Sequence, residues 1–183
     1  MKNYLFIVFI CLHSFSSFSQ IAFLKGYIVN DKGDTIRGEV KINPKKEQDN
    51  YSKVFFKEES GTQKSYKPNK VKAYGFDNQH FTALDYDGEL KFYKVLVIGE
   101  ISLYKMMFEV INMNAVSYAA EYFITRKEDK KMTSVKENKF KKQLQEMMSG
   151  AAGFANEYDG DKKINEESAI QVIKKYNNRT GNE

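Results

Sequence analysis

The sequence HFTALDYDGELKFYKVLV, residues 80–97, has the composition of a β-hairpin. Aromatic and β-branched residues recur in two runs, His80–Tyr86 and Glu89–Val97, on either side of Asp87-Gly88. The Asp-Gly pair favours a type I′ turn, whose twist suits two antiparallel strands joined by two residues. We therefore predict an antiparallel hairpin here.

Further runs of strand-forming residues lie on both sides of this hairpin, separated by turn signals. The predicted strands before it are Ala22–Val29, Thr35–Ile42, Tyr51–Lys57 and Gln63–Tyr66, and those after it are Ile101–Asn112, Val116–Arg126 and Met132–Val135. Such a meander must protect its edges, either by curling into a barrel-like or bent sheet or by covering one face with helices.

The period of the apolar residues changes near Ser134, which predicts helices in the rest of the chain. Ser134-Val135-Lys136-Glu137 has the form of a capping box at a helix start. The apolar face of this helix would be Phe140, Leu144, Met147 and Met148, and Gly150 and Gly153 would end it. A second helix, Glu166–Asn177, places Ile170, Ile173 and Tyr176 on one side. The predicted class is α+β, a mainly antiparallel β meander with a C-terminal pair of short α-helices.

Residues 1–19 have the layout of a cleaved secretory signal peptide. Lys2 precedes the apolar run Tyr4–Leu12, and Ser17-Phe18-Ser19 forms a small-x-small cleavage site. The apolar run is too short to cross a bilayer as a helix. We predict cleavage after Ser19, a secreted or periplasmic product without a transmembrane helix, a β-rich domain at 20–135, and a helical segment at 136–183 packed on it.

The single cysteine, Cys11, lies inside the predicted signal peptide. Ile10 precedes it, where a lipoprotein signal needs a small residue, so we do not expect acylation. The mature chain would then contain no cysteine and form no disulfide. Its stability must come from a hydrophobic core and backbone pairing.

The charge balance is mildly basic, with 29 Lys and Arg against 24 Asp and Glu. In Lys64–Lys70, basic residues alternate with an aromatic residue. This pattern suits an anionic polysaccharide, a lipopolysaccharide headgroup or nucleic acid, of which export makes nucleic acid the weakest. The interpretation that we favour is a strand whose lysines face water.

Several kinds of active site are excluded by residue types that the mature chain would lack. It offers no thiol nucleophile, and its one histidine, His80, would have to serve any zinc site or Ser-His-acid triad alone. No G-x-S-x-G elbow and no glycine-rich phosphate loop is present. We interpret His80 as structural or solvent-facing, and predict no catalytic, metal-binding or cofactor-binding residue and no cofactor.

Two acidic segments were compared with the calcium loop of an EF-hand. Asn156–Asp161 would place Ala155 at the first ligand position, and Asp85–Gly88 would place Ala83 and Lys94 at the first and twelfth positions. An EF-hand needs carboxylate oxygens there. We interpret both segments as acidic turns.

Four segments together resemble a group of small exported proteins of unknown function that are common in Bacteroidota. The matching segments are Gly26–Val29, Gly33–Val40, Ser65–Phe76 and Val97–Tyr104. The resemblance covers most of the mature chain and brings no activity, ligand or catalytic residue with it. Such proteins often carry a cysteine near the position of Ser149–Ala151. Because this chain has none there, no disulfide or metal site transfers from them.

The sequence favours a non-enzymatic binding or envelope-associated accessory domain, with a glycan, a lipopolysaccharide or an envelope protein as candidate partner and no nucleic acid. One alternative is a carboxylate-based hydrolase acting on polysaccharide, which needs two buried acids roughly 5 to 10 Å apart in a groove. The other alternative is a structural or assembly component. Its contact surface would be the aromatic strand segments 54–56 and 92–93.

Overall fold

The computed structural model describes residues 21–44, 46–112, 115–129, 131–148 and 165–180. The strands are β1 Ala22–Asn30, β2 Thr35–Ile42, β3 Val54–Glu58, β4 Gln63–Tyr66, β5 Val71–Phe76, β6 Gln79–Tyr86, β7 Glu89–Val97, β8 Ile101–Asn112, β9 Ala115–Arg126 and β10 Met132–Val135. The helices are α1 Phe140–Met147 and α2 Glu166–Thr180, and two 3-10 turns cover Glu47–Tyr51 and Glu137–Lys139. The predicted signal peptide lies outside the described residues.

All ten strands form one antiparallel sheet in the order β10-β9-β8-β7-β6-β5-β1-β2-β3-β4. Because β1 pairs with both β2 and β5, the first strand of the described residues lies inside the sheet and two meanders meet there. The predicted α+β class is confirmed. The sheet does not close, since β4 and β10 remain at its edges, so the barrel-like alternative is replaced by an open sheet.

The sheet is bent, and its inner face holds an aromatic core beneath the 3-10 turn Glu47–Tyr51. This turn follows β2 but packs against β7 and β8. Inside the bend, the ring of Tyr74 stacks on Phe81 at 4.7 Å between centroids and meets Phe92 edge-on at 4.9 Å. The Tyr74 hydroxyl donates to the Asn50 carbonyl at 2.5 Å. Burial raises the pKa of Tyr74, so the ring remains neutral within the core.

A second core joins the two helices to the same face of β7 to β10. Its buried members are Val97, Ile101, Leu103, Tyr122, Ile124, Val135, Phe140, Leu144, Met148, Ala169, Val172, Ile173 and Tyr176. The predicted apolar helix faces are therefore confirmed, with Met147 and Ile170 only partly buried. The predicted endings at Gly150 and Gly153 lie outside the described residues.

The hairpin predicted at residues 80–97 forms as β6 and β7. Asp87 and Gly88 have φ angles of 56° and 81°, which are the two positive values that a type I′ turn requires. Asp85 accepts a hydrogen bond from the Gly88 amide at 3.1 Å. This segment is thus an acidic turn, as interpreted from the sequence.

The start of the first helix was predicted wrongly. Ser134 belongs to β10, and its hydroxyl donates to Glu121 on β9 instead of capping a helix. The capping box lies instead at α2. There Asn165 accepts from the Ser168 amide at 2.9 Å, and Ser168 accepts from the Asn165 amide at 2.9 Å. Two backbone N–H groups at the helix start, which have no partner within the helix, thereby gain hydrogen bonds.

Candidate functional site

The outer face of β1 to β3 gathers side chains that are apart in the sequence. Alternate residues of a strand point to the same face of a sheet, so the register decides which of them become neighbours. We call this surface the basic face; it consists of Phe23, Lys25, Tyr27, Arg37, Glu39, Lys41, Lys53, Phe55 and Lys57.

The register arranges these residues in rows across the strands. Phe23 pairs with Lys41, and Tyr27 pairs with Arg37. Glu39 lies between Lys25 of β1 and Lys57 of β3. With neighbouring strands about 4.8 Å apart, each row brings its side chains within mutual reach.

Two phenylalanine rings on this face lie beneath lysine side chains. Lys57 Nζ is 5.6 Å from the centroid of Phe23. Lys41 Nζ and Lys53 Nζ are 5.8 and 5.0 Å from the centroid of Phe55. These distances fit cation–π contacts. Phe23 and Phe55 remain 37% and 39% exposed, so an apolar surface stays open among the positive charges.

The charge of the basic face is strongly positive, because Glu39 is its one acid. Glu39 pairs with Lys57 at 3.0 Å between Oε2 and Nζ. Lys25 and Arg37 are exposed, and within the described ranges neither makes an ion pair. They are therefore free to bind an anion without breaking an existing contact.

A cleft of about 610 Å³ opens beside these two cations, over β1, β2 and β5. Glycines form its floor, and Gly26 is paired with Gly38 across the strands. The ring of Tyr27 lies over Gly75, where a β-carbon would be 2.6 Å from Tyr27 Cε1. Burial raises the pKa of Tyr27, so its hydroxyl stays protonated and able to form hydrogen bonds. Further acids at the rim are Glu58, Glu59 and Asp77.

His80 lies on the outer face next to Tyr27. Its Nδ1 is 2.9 Å from the Tyr27 hydroxyl, and the residue is exposed. The imidazole faces solvent and helps to fix the Tyr27 ring, in agreement with the interpretation from sequence. No acid forms a hydrogen bond with it in the part of the chain described, so no catalytic dyad is formed there.

The basic segment singled out in the sequence, Lys64–Lys70, lies at the β4 edge. It contributes to a shallow depression of about 570 Å³ with Asp31. Lys64 is exposed and pairs with Glu58 at 2.7 Å. This segment lacks the exposed aromatic rings of the basic face, because its Tyr66 is half-buried. The other acidic segment, Asn156–Asp161, lies outside the described residues.

Among the residues that the structure describes, neither a metal site nor a pair of buried acids is found. Over the described ranges, no group of three or more His, Cys, Asp or Glu side chains could hold a metal ion. Ser102 is the one polar or charged residue found buried there, so no buried carboxylate accompanies the cleft. The same residues include no helix of sufficient length and hydrophobicity to cross a membrane.

The proposed aromatic contact segments 54–56 and 92–93 need correction. Val54, Phe56, Phe92 and Tyr93 are at most 2% exposed, because the first three pack in the aromatic core and Tyr93 packs with Tyr104 and Phe123 in another buried cluster. Phe55 is the exception, since strand alternation turns it outward. These segments cannot form an exposed aromatic assembly surface.

The chain was compared with protein-family models, curated protein sequences and solved structures, and none matches. The function is therefore inferred from the chemistry of the basic face and its cleft.

Proposed function

We propose that this chain is an exported, non-enzymatic binding domain of the cell envelope, and that it holds an anionic polysaccharide on the basic face. The observation that carries the proposal is the grouping of five cations around two exposed phenyl rings on one sheet surface. Export is supported by the signal-like residues 1–19 and by the resemblance to small exported proteins of Bacteroidota.

The two kinds of side chain suit the two kinds of surface on a charged sugar chain. The C–H groups on the face of a sugar ring pack on the electron-rich face of an aromatic ring. Carboxylate, sulfate or phosphate groups accept charge-assisted hydrogen bonds from lysine and arginine. Lys25 and Arg37 would provide such bonds, while the parts of Phe23 and Phe55 that the lysines leave exposed would provide the apolar contact.

The aromatic part of the face is arranged before a ligand arrives. Lys41 and Lys53 already lie over Phe55, and Lys57 is held by Glu39. Side chains that are already ordered lose less conformational entropy on binding. The cleft beside Tyr27 is lined by more acids than cations, so it offers a place only for an uncharged branch of the ligand. The phosphorylated sugars of lipopolysaccharide have the same chemistry and belong to the proposed ligand class.

Calorimetric titration of the full chain with anionic and neutral polysaccharides of similar length tests this proposal. We expect binding of the anionic polymers only, with an affinity that falls as salt rises, because exposed charge pairs are screened. Equal affinity for neutral polymers, or binding insensitive to salt, would contradict it.

Variants at the two unpaired cations give a sharper test. Lys25→Gln combined with Arg37→Gln should weaken binding about tenfold or more, the value of one or two charge-assisted hydrogen bonds. Neither change leaves a described ion-pair partner without its cation, so the unfolding midpoint should stay near that of the wild type. Each single substitution is also compared with Lys174→Gln, which removes one charge at an exposed position of α2 and should bind as the wild type does. An equal loss in the control would show a nonspecific charge effect and overturn the proposal.

A further inference from the structure

The β8–β9 hairpin extends beyond both of its neighbours in the sheet. The pairing of β7 with β8 stops at Lys94 and Lys105, and that of β10 with β9 stops at Val135 and Tyr122. The two strands nevertheless pair with each other as far as Asn112 and Ala115. We call residues 106–112 and 115–121 the arm.

Both faces of the arm are apolar. Ile111, Val116 and Tyr118 are 73%, 56% and 45% exposed on one face, and Phe108 is 40% exposed on the other. The arm contains no lysine or arginine and two acids, Glu109 and Glu121, in a chain of which 29% is charged. A surface of this kind is costly to leave in water.

Among the residues described, the arm also has strand edges without partners. Over the described residues, nothing pairs with β9 from Ala115 to Glu121 on the side away from β8. A two-stranded ribbon with open edges is marginally stable and prone to strand addition. Burial in a lipid bilayer would leave these backbone groups unsatisfied, which is costly. A strand of another protein molecule would form hydrogen bonds with these backbone groups.

We propose that two copies of this chain pair through the free edge of β9, antiparallel and with Tyr118 opposite Tyr118 of the second copy. The open edge begins at Glu121, directly after the position where β10 ends opposite Tyr122. A strand of the second copy would therefore continue the line of β10 along β9. The result is a four-stranded sheet with closed two-fold symmetry.

Charge decides which edge of the arm pairs with itself. A symmetric pairing of residues 106–112 would place Glu109 opposite Glu109, and like charges directly opposite are destabilising. The same operation on residues 115–121 places Tyr118 at the centre, Val116 opposite Ala120, and Glu121 opposite Ala115. In the register that pairs all seven residues, only the β9 edge is self-complementary, with an aromatic pair at its middle.

The size of the contact sets its expected strength. Seven residues of each strand take part, and edge pairing of that length buries less than the roughly 800 Å² per partner of a standard stable interface. We therefore expect a dimer that dissociates in the micromolar range. This inference does not depend on polysaccharide binding, since the basic face lies on β1 to β3.

Sedimentation velocity of the full chain across the micromolar range measures the association. We expect a monomer–dimer equilibrium in the wild type and a tenfold or greater weakening in Tyr118→Glu, which places two carboxylates opposite each other. Tyr118→Phe is the matched control, because it keeps the ring and loses only the hydrogen bond from Gln48, 3.3 Å long. A wild type that stays monomeric throughout the range would overturn the proposal, as would an unchanged dimer in Tyr118→Glu.

Cysteine cross-linking tests the register without relying on a disruptive variant. In a Cys11→Ser background, Tyr118→Cys should form a disulfide-linked dimer under mild oxidation, because the two α-carbons would lie within the roughly 7 Å that a disulfide spans. Val116→Cys should not, since its two copies would be four residues apart along the strand, about 13 Å. Val116 is the more exposed of the two, so random collision predicts the opposite order. Equal or faster cross-linking at Val116 would refute the register.

Discussion

The side-chain amide of Asn177 forms two hydrogen bonds with the main chain of Ile101. Its Oδ1 accepts from the Ile101 amide at 2.9 Å, and its Nδ2 donates to the Ile101 carbonyl at 2.8 Å. The amide thus takes the place of a neighbouring strand at the start of β8. It also connects α2 to the sheet at a residue that is completely buried.

Asn177→Ala should destabilise the protein by about 2 kcal/mol or more, because it leaves a buried amide and a buried carbonyl without partners. Asn177→Asp should recover part of this loss, since a carboxylate can accept from the amide but cannot donate to the carbonyl. Urea denaturation of each variant measures the change. Gln171→Ala, on the exposed side of α2, is the control and should have little effect.

Gly99→Ala should destabilise the wild type through the same contact. A β-carbon at Gly99 would overlap the Asn177 amide and lie 3.0 Å from Asn177 Cβ. In the Asn177→Ala background most of that overlap disappears, so Gly99→Ala should cost much less there. A double-mutant cycle by denaturation measures this coupling. If the two substitutions have additive effects on the free energy of unfolding, the lack of a side chain at Gly99 does not serve the contact with Asn177.

Glu166 should make stability depend on acidic pH. Its Oε2 accepts from Lys105 Nζ at 2.7 Å and from the Tyr122 hydroxyl at 2.8 Å. Burial raises the pKa of Glu166, but the hydrogen bonds from Lys105 and Tyr122 and the charges of Lys105 and Lys94 outweigh it, so the pKa is lowered overall. A lowered pKa in the folded state favours folding above the unfolded value of about 4.3, and this contribution is lost as pH falls through the folded value.

Glu166→Gln should therefore reduce the free energy of unfolding at neutral pH by about 1 kcal/mol, a modest value because the carboxylate is partly exposed. The difference from the wild type should shrink as pH falls below about 4. Denaturation at several pH values measures it, and the exposed Glu167→Gln is the matched control. A difference that stays constant down to low pH would mean that the charge of Glu166 is unimportant.

Substitutions at two neighbouring residues of β2 should affect different properties, one the stability of the fold and the other the binding of polysaccharide. A β-carbon at Gly38 would overlap the Lys57 carbonyl oxygen and lie 2.6 Å from Phe56 Cζ, so Gly38→Ala should cost about 2 kcal/mol or more. Arg37→Ala removes an exposed side chain and should leave stability almost unchanged. Thermal unfolding and polysaccharide titration of both variants measure the two properties. Loss of stability in Arg37→Ala would contradict its assignment to the binding surface.

Local signals predicted most elements of the fold. The Asp87-Gly88 pair predicted the central hairpin, and the spacing of the apolar residues Phe140 and Leu144 indicated the buried side of α1. Strand β5 was missed, because Val71–Phe76 includes a glycine and pairs with β1, far away in the sequence. The capping box at Ser134 was misassigned because the serine binds Glu121 across the sheet, a contact that sequence spacing does not reveal.

The candidate site was less accessible to sequence analysis. Lys64–Lys70 drew attention because its basic residues are contiguous, whereas Phe23, Lys41 and Phe55 become neighbours only through the register of three strands. Alternation along each strand predicts which residues share a face, but not which strand lies beside which. The sequence also does not show that β8 and β9 extend beyond β7 and β10 to form the arm, because the lengths over which neighbouring strands pair depend on the whole sheet.

The interior position of β1 has a consequence for how the chain folds during synthesis. β1 emerges first and can pair at once with β2, yet its other edge waits for β5, where Gly26 meets Phe76. Nascent chains that end before residue 76 therefore carry an open inner edge, which is prone to aggregation. We expect such fragments to need chaperone protection, and the middle of the sheet to close in one late, non-local step.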